Sequence, residues 1–311
     1  MIDLEKIRVV HGNPRGGREA VAGVSLRIES GELFGLLGPN GAGKTSLVSV
    51  LTGLRLATSG KVLIDSQELA PGRKDLLRRI GLAPQETALY TAMTGLENMR
   101  FFGALFGLSG PAFDQKANTI LDSLGLGACA NRQAGTYSGG MLRRLNLAVA
   151  LAHDPEILFL DEPTVGVDPQ SRALLFSHIR ALHAQGRTII YTSHHLEEVE
   201  ALCPRLAIMD HGRVIACDTV KSLLRQMPGT IRATCARVPA ELTKELARSA
   251  AGTWTDGPDG FTLECPDPTA RATSLVESLL TAGIRPTSLE VRPADLQSVF
   301  LHLTGRELRD E

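Results

Sequence analysis

The chain has 311 residues, of which 33 are basic and 34 are acidic, so its net charge is −1 at pH 7. This balance argues against nucleic acid as a partner, because nucleic-acid-binding domains usually carry a basic excess. No apolar run approaches the ~20 residues that cross a bilayer, and the first residues lack the layout of a secretion signal. The cysteines show no CxxC spacing, which argues against a structural zinc or a disulfide framework. We therefore expect a cytoplasmic protein.

Short apolar runs that alternate with helical patterns predict an α/β domain with a largely parallel sheet over residues 1–225. The clearest buried strands are residues 32–37, 156–160 and 187–191, and each is followed by polar or glycine-rich residues. Since open α/β sheets bind ligands at the carboxyl ends of their strands, we expect these ends to form the site. Between about 86 and 152, apolar residues recur at helical spacing and predict a helical insert.

A second, small α+β domain is predicted over residues 226–311. Its pattern predicts a strand, a helix, a hairpin, a helix, a strand and a closing helix, which lie at residues 230–238, 240–250, 256–260, 269–282, 288–292 and 294–303. Without the closing helix, this order is typical of the split βαβ arrangement in ferredoxin-like folds. We expect no catalytic residue in this domain.

A glycine-rich segment follows the first buried strand and fits the pattern G-x-x-x-x-G-K-[ST]. It consists of Gly38, Pro39, Asn40, Gly41, Ala42, Gly43, Lys44 and Thr45, and Ser46 opens the helical run behind it. Glycines let successive backbone N–H groups point at a phosphate, and the helix start adds positive charge. Lys44 would bridge the β- and γ-phosphates of a nucleotide, and the Thr45 hydroxyl would bind Mg²⁺. The loop alone does not distinguish a kinase, a GTPase, a helicase and a transporter subunit.

Two acidic residues follow the second buried strand. Asp161 is expected to hold Mg²⁺ through its water shell, because this ion prefers oxygen ligands and retains waters. Glu162 is expected to orient and deprotonate the attacking water as a general base. His194 follows the third strand and is suited to contact the γ-phosphate and the water, whereas His195 is expected at the surface. Without the glycine-rich loop, the acidic pair would be interpreted as a solvated turn.

The most specific motif is Tyr137-Ser138-Gly139-Gly140-Met141, whose serine stands 23 residues before Asp161. A serine hydroxyl and glycine N–H groups at a helix start form a second anion site. This segment resembles the signature of ABC ATPases, commonly written LSGGQ. The resemblance implies an α/β P-loop NTPase core of ABC type, with an antiparallel β region and a helical subdomain. It also implies that Ser138, Gly139 and Gly140 of one subunit close over ATP held by another, so that catalysis requires a dimer.

Further positions match the same family in the same order. Gln85 resembles the residue that joins the sheet core to the helical insert and senses Mg²⁺ and the γ-phosphate, and Asp168 resembles a dimer-facing loop residue. His11 stands where an aromatic residue normally stacks on adenine. Met141 replaces the usual glutamine, which is similar to export subunits of the drug-resistance and nodulation-factor branch. Arg143 and Arg144 are expected on the solvated face of the signature helix.

The resemblance implies an ATP-hydrolysing motor subunit of an exporter that uses ATP and Mg²⁺. Its partners would be a separate transmembrane permease and either an identical copy or a paired paralogue, with membrane contact only through the permease at the inner face of the cell membrane. Two alternatives remain: an ABC ATPase that acts on ribosomes or DNA, and a P-loop kinase. The sequence speaks against the first, since it has one cassette without a basic linker or a long coiled coil. The second does not explain the Ser138 motif.

Overall fold

The computed structural model describes residues 1–12, 16–235 and 237–305. These residues form two compact units, Met1–Cys217 and a second unit that starts at Asp218. The boundary predicted at residue 225 lies later along the chain than the boundary in the structure. The two differ because a short helix at Val220–Leu224 groups with the second unit by its contacts.

The described residues of the first unit form both strands and α-helices. The strands are β1 (Ile2–His11), β2 (Arg18–Ile28), β3 (Leu33–Leu37), β4 (Ser59–Ile64), β5 (Gln67–Glu68), β6 (Ile80–Ala83), β7 (Ile157–Asp161), β8 (Thr188–Ser193), β9 (Arg205–Asp210) and β10 (Arg213–Thr219). The α-helices are α1 (Lys44–Leu51), α2 (Lys74–Leu77), α3 (Gly95–Leu105), α4 (Gly110–Ser123), α5 (Gly139–Ala150), α6 (Pro169–Ala184) and α7 (Leu196–Leu202).

Two sheets organise the first unit. The antiparallel region has the strand order β2-β1-β4-β5, and the larger sheet has the order β10-β9-β3-β8-β7-β6. Strands β9, β3, β8, β7 and β6 pair in parallel, and every residue of β3, β7 and β8 is buried. Apolar side chains on both faces suit a sheet that is covered on both sides. Because β3, β8 and β7 are adjacent, their carboxyl ends meet at one edge, as the sequence pattern predicts.

The predicted helical insert contains α3, α4 and α5. Thr94 and Glu97 form a reciprocal capping box at the start of α3, which satisfies two backbone donors. Met99, Phe113 and Leu121 lie on the buried faces of α3 and α4. Among the helices of the described residues, none combines the length and the apolar character needed to span a bilayer.

The second unit forms around a four-stranded antiparallel sheet. Its described elements are α8 (Val220–Leu224), β11 (Gly229–Thr234), α9 (Ala240–Ser249), β12 (Thr253–Gly257), β13 (Gly260–Cys265), α10 (Pro268–Thr281), β14 (Ser288–Arg292) and α11 (Leu296–Thr304). The strand order β12-β13-β11-β14, with all pairs antiparallel, confirms the predicted split βαβ arrangement. Strand β11 is shorter than predicted because both neighbours also end there, with Thr234 paired to Gly260 and Ser288.

Gly35 lies in the middle of β3, where α7 packs directly against the strand. A Cβ on Gly35 would lie 2.6 Å from Val199 Cγ1 and 3.0 Å from Leu206 Cβ, and both neighbours are fully buried. We expect Gly35→Ala to lower the free energy of unfolding by about 1–3 kcal/mol through overpacking. Gly16→Ala is the control, since no described atom lies within 4 Å of its Cβ position. Urea denaturation followed by circular dichroism measures both variants, and equal stabilities would contradict the prediction.

Candidate active site

The glycine-rich loop connects the end of β3 to the start of α1. Gly41 and Gly43 have φ angles of 79° and 103°, a left-handed conformation that side chains rarely tolerate. A Cβ on Gly43 would also lie 2.2 Å from the Ala20 carbonyl oxygen, so the loop can pass this close to β2 only if position 43 is glycine. Lys44 Nζ donates to the carbonyl oxygens of Gly38 at 2.7 Å and Pro39 at 3.1 Å. These bonds hold the ammonium group inside the curve of the loop.

A cavity of about 390 Å³ opens at this loop. Its lining consists of His11, Arg18, Ala20, Asn40, Gly41, Gly43, Lys44, Thr45, Ser46, Gln85 and Glu162. The volume falls in the range of small-molecule sites, and the lining combines a helix N-terminus with a lysine and a hydroxyl group. These features fit a nucleotide that carries a chain of phosphates.

Three polar side chains surround the carboxylate of Glu162. Lys44 Nζ lies 3.1 Å from Oε1, while Gln85 Nε2 donates to Oε2 at 3.1 Å and His194 Nδ1 lies 3.1 Å from the same oxygen. Lys44 and Glu162 are each only 4% exposed. Glu162 also has a φ of 46°, a strained value for a residue with a side chain. The structure thus brings together the four residues that the sequence assigns to the γ-phosphate end of the site.

Asp161 is fixed by the neighbouring strand. Thr192 Oγ1 donates to Asp161 Oδ1 at 2.6 Å and accepts from the Glu162 backbone N–H at 3.0 Å. Burial raises the pKa of Asp161, while hydrogen bonds from Thr192 and Thr45 act in the opposite direction. A divalent cation would stabilise the charged form of such a carboxylate, and Thr45 and Asp161 are the hard oxygen donors that Mg²⁺ prefers.

No group of three or more His, Cys, Asp or Glu side chains within the described ranges is arranged to hold a metal ion by itself. Mg²⁺ commonly binds through one or two protein ligands, water and substrate phosphates. The pair of Thr45 and Asp161 fits that mode, so magnesium binding here would depend on the nucleotide.

The signature segment forms the start of α5. Ser138 is the N-cap, and its Oγ accepts from the Met141 backbone N–H at 3.3 Å. A Cβ on Gly140 would lie 2.5 Å from Ser171 Oγ, so the segment packs tightly against the first turn of α6. Asp168 caps α6 by accepting from the Ser171 N–H at 2.9 Å. The signature and the Asp168 loop are therefore neighbours, and neither contributes to the described lining of the nucleotide cavity.

The expectation that Arg143 and Arg144 form a solvated face is wrong. Arg143 donates to the carbonyl oxygen of Gln85 and, at 3.2 Å, to that of Val165. Arg144 donates to the carbonyl oxygen of Leu124 at 2.9 Å. Burial lowers the pKa of Arg143, and the nearby Glu162 carboxylate partly opposes this shift. Both side chains turn inward because each finds backbone carbonyl groups that no helix or strand partner satisfies.

His11 lines the same cavity. Its Nε2 is 2.9 Å from Ser46 Oγ, and its Nδ1 is 2.7 Å from an Arg55 terminal nitrogen. Arg18 and Ala20 line the same cavity, although they belong to no motif in the sequence. Arg18 pairs with His11 across the β1–β2 ladder, so a hairpin register would have identified it.

The family model described as ABC transporter matches residues 21–165. The linearmycin resistance ATP-binding protein LnrL of Bacillus subtilis is 37% identical over 100% of both chains. The Nod factor export ATP-binding protein I of Burkholderia lata is 38% identical over 95% of both chains. Among solved structures, the dimeric bacterial ABC transporter cassette MJ0796 has a TM-score of 0.64 at 25% identity, covering 70% of this chain and 98% of its own.

The chain therefore belongs to the ATP-binding subunits of ABC transporters. This confirms the predicted ABC-type fold, the export and drug-resistance branch, and the enzyme class, an ATPase. A P-loop kinase is excluded, since the relatives match along the whole chain.

Proposed function

We propose that two copies of this chain, or one copy and a paralogue, close around two ATP molecules and drive a separate permease. The observation that carries the proposal is the division of the site. Lys44, Gln85 and Glu162 line one cavity and His194 contacts the Glu162 carboxylate, while the anion-binding start of α5 lies outside the described lining. A second copy would supply that missing surface from its own Ser138.

Each residue then has a definite role in hydrolysis. Lys44 would contact the β- and γ-phosphates, and Thr45 and Asp161 would hold Mg²⁺, which when bound would neutralise phosphate charge. Glu162 accepts a proton from water as the water oxygen bonds to the γ-phosphorus and the bond to the β-γ bridging oxygen breaks. Gln85 and His194 orient the Glu162 carboxylate through the contacts already described, and His194 also contacts the γ-phosphate. ADP and phosphate are the products.

Replacing Glu162 with Gln separates binding from hydrolysis. The amide keeps the side chain's shape but accepts no proton, so we expect ATP turnover to fall by about 10²–10⁴-fold. ATP should then hold two chains together, and size-exclusion chromatography with ATP and Mg²⁺ should show a dimer. Glu197→Gln is the control, because Glu197 is exposed on α7. A purely monomeric Glu162→Gln protein would contradict the proposal.

Mixing two inactive variants tests whether each site is shared. Lys44→Ala disables the phosphate loop, and Ser138→Arg disables the signature, so each homodimer should be inactive. In a mixed dimer both lesions fall on the same site, which leaves the other site intact. Random pairing of equal amounts should restore about a quarter of the wild-type ATPase rate. A mixture that remains as inactive as its components would show that one chain forms the whole site.

A partly apolar surface beside Gln85 is proposed to bind the permease. Tyr90 is 47% exposed and contacts Phe101 and Phe102, with ring centroids 4.6 and 6.2 Å apart. Leu105, the last residue of α3, is 67% exposed, and Ala92 in the segment before α3 is also exposed. Aromatic residues of this kind are typical of interface cores. Export ATP-binding subunits such as the Burkholderia relative support a permease segment as the occupant, which would hold this chain at the inner face of the membrane.

We expect Ala92→Asp to abolish transport while the purified protein retains its ATPase activity. The added carboxylate would have to lose water against an apolar partner, which is unfavourable without a counter-ion. Ala181→Asp on the exposed face of α6 is the control. Pull-down from native membranes, with mass spectrometry of the hydrophobic partner, measures docking. Unchanged recovery of the permease with Ala92→Asp would exclude this surface.

A further inference from the structure

Glu198 is a buried carboxylate that the catalytic scheme does not use. It is 2% exposed, and its Oε2 accepts three hydrogen bonds, from Thr164 Oγ1 at 2.8 Å, Tyr191 OH at 2.8 Å and Ser193 Oγ at 2.9 Å. Arg172 Nε lies 3.3 Å from Oε1. Burial raises the pKa of Tyr191 well above its usual range, so this phenol remains a donor. Glu198 is thus the centre of a buried polar cluster.

A buried charge of this kind is expensive, and apolar replacements of ionic clusters often leave a protein equally stable. Stability alone is therefore a weak explanation for a buried carboxylate at this position. Glu198 is held in a rigid position, since its neighbour Val199 packs against Gly35 of β3. A rigid carboxylate with several hydroxyl donors is well suited to fix the positions of the segments that carry those donors.

Two of the three donors stand close in sequence to the proposed catalytic groups Glu162 and His194. Thr164 stands two residues after Glu162, in the loop that leads to Asp168. Ser193 directly precedes His194, and its Oγ also accepts from the His195 N–H at 2.9 Å. The third donor, Tyr191, differs because it belongs to the interior of β8. One oxygen therefore joins the loop after Glu162 to the interior of β8 and to the end of that strand, directly before His194.

We propose that Glu198 is a positioning residue that couples the dimer-facing loop after Glu162 to the loop of His194. The inference rests on the proposed function, because the loops matter only if they act on ATP between two subunits. Through Thr164 the carboxylate sets the loop that reaches Asp168, and through Ser193 it sets the imidazole beside Glu162. Arg172 balances the charge from the first turn of α6.

Removing one donor at a time tests the proposal without leaving a buried charge wholly unpaired. Thr164→Val, Ser193→Ala and Tyr191→Phe each delete one hydroxyl group that bonds to the same oxygen. Tyr191→Phe is the matched control, since its hydroxyl connects Glu198 to the interior of β8 at 2.8 Å and reaches the Thr164 hydroxyl only at 3.4 Å. Glu198→Gln is less informative, because replacing the carboxylate beside Arg172 would leave that cation without its counter-ion and is expected to lower stability as well. Urea denaturation of all three variants checks that their losses of stability are alike.

We expect Ser193→Ala to lower kcat about tenfold with KM for ATP changed less than about twofold, because orientation rather than binding is lost. Thr164→Val should lower kcat and also reduce the ATP-trapped dimer when combined with Glu162→Gln. Tyr191→Phe should keep at least about half of the wild-type kcat.

Equal effects of all three variants, or no effect of Thr164→Val and Ser193→Ala, would overturn the role of Glu198. The kcat comparison uses the three single variants without Glu162→Gln, so it can be interpreted even if Glu162→Gln fails to trap a dimer. That second failure would count against the proposed function instead.

Discussion

The ion pair between Lys44 and Glu162 is the interaction on which the rest of the site depends. Its atoms are 3.1 Å apart and both side chains are almost fully buried. Two charges removed from water require additional partners, since their mutual attraction alone does not repay desolvation. Lys44 finds loop carbonyl groups, and Glu162 finds Gln85 and His194. Three separate parts of the chain must therefore converge on one carboxylate.

Strand order explains how that convergence arises. Strands β3, β8 and β7 are neighbours, so the loops that carry Lys44, His194 and Glu162 leave the sheet at the same edge. The backbone then adds a constraint of its own. Thr192, at the end of β8, bonds both to Asp161 and to the N–H of Glu162, which has a positive φ. Strain at the proposed general base is thus held by a hydrogen bond from the adjacent strand.

Sequence reasoning succeeds where one local pattern carries the information. The loop around Lys44, the acidic pair at the end of β7 and the alternating pattern of the second unit all depend on neighbours in sequence, and the fold inferred from them is confirmed. It fails where a side chain's partner is distant. Arg143 is 58 residues from its Gln85 acceptor, and Glu198 is 34 residues from Thr164. A charged residue on a helix usually faces solvent, so only the tertiary contact reveals these exceptions.

The two exceptions act on the same segment of chain. Arg143 holds the backbone carbonyl of Val165, while Glu198 accepts from the side chain of the preceding residue, Thr164. Arg143 also donates to the backbone of Gln85, whose side chain contacts Glu162. Charge-assisted hydrogen bonds are stronger than neutral ones, so these contacts resist independent movement of the segments they join. A displacement of the signature helix would therefore be transmitted to the Glu162 carboxylate, which links the surface proposed to face a partner subunit with the proposed general base.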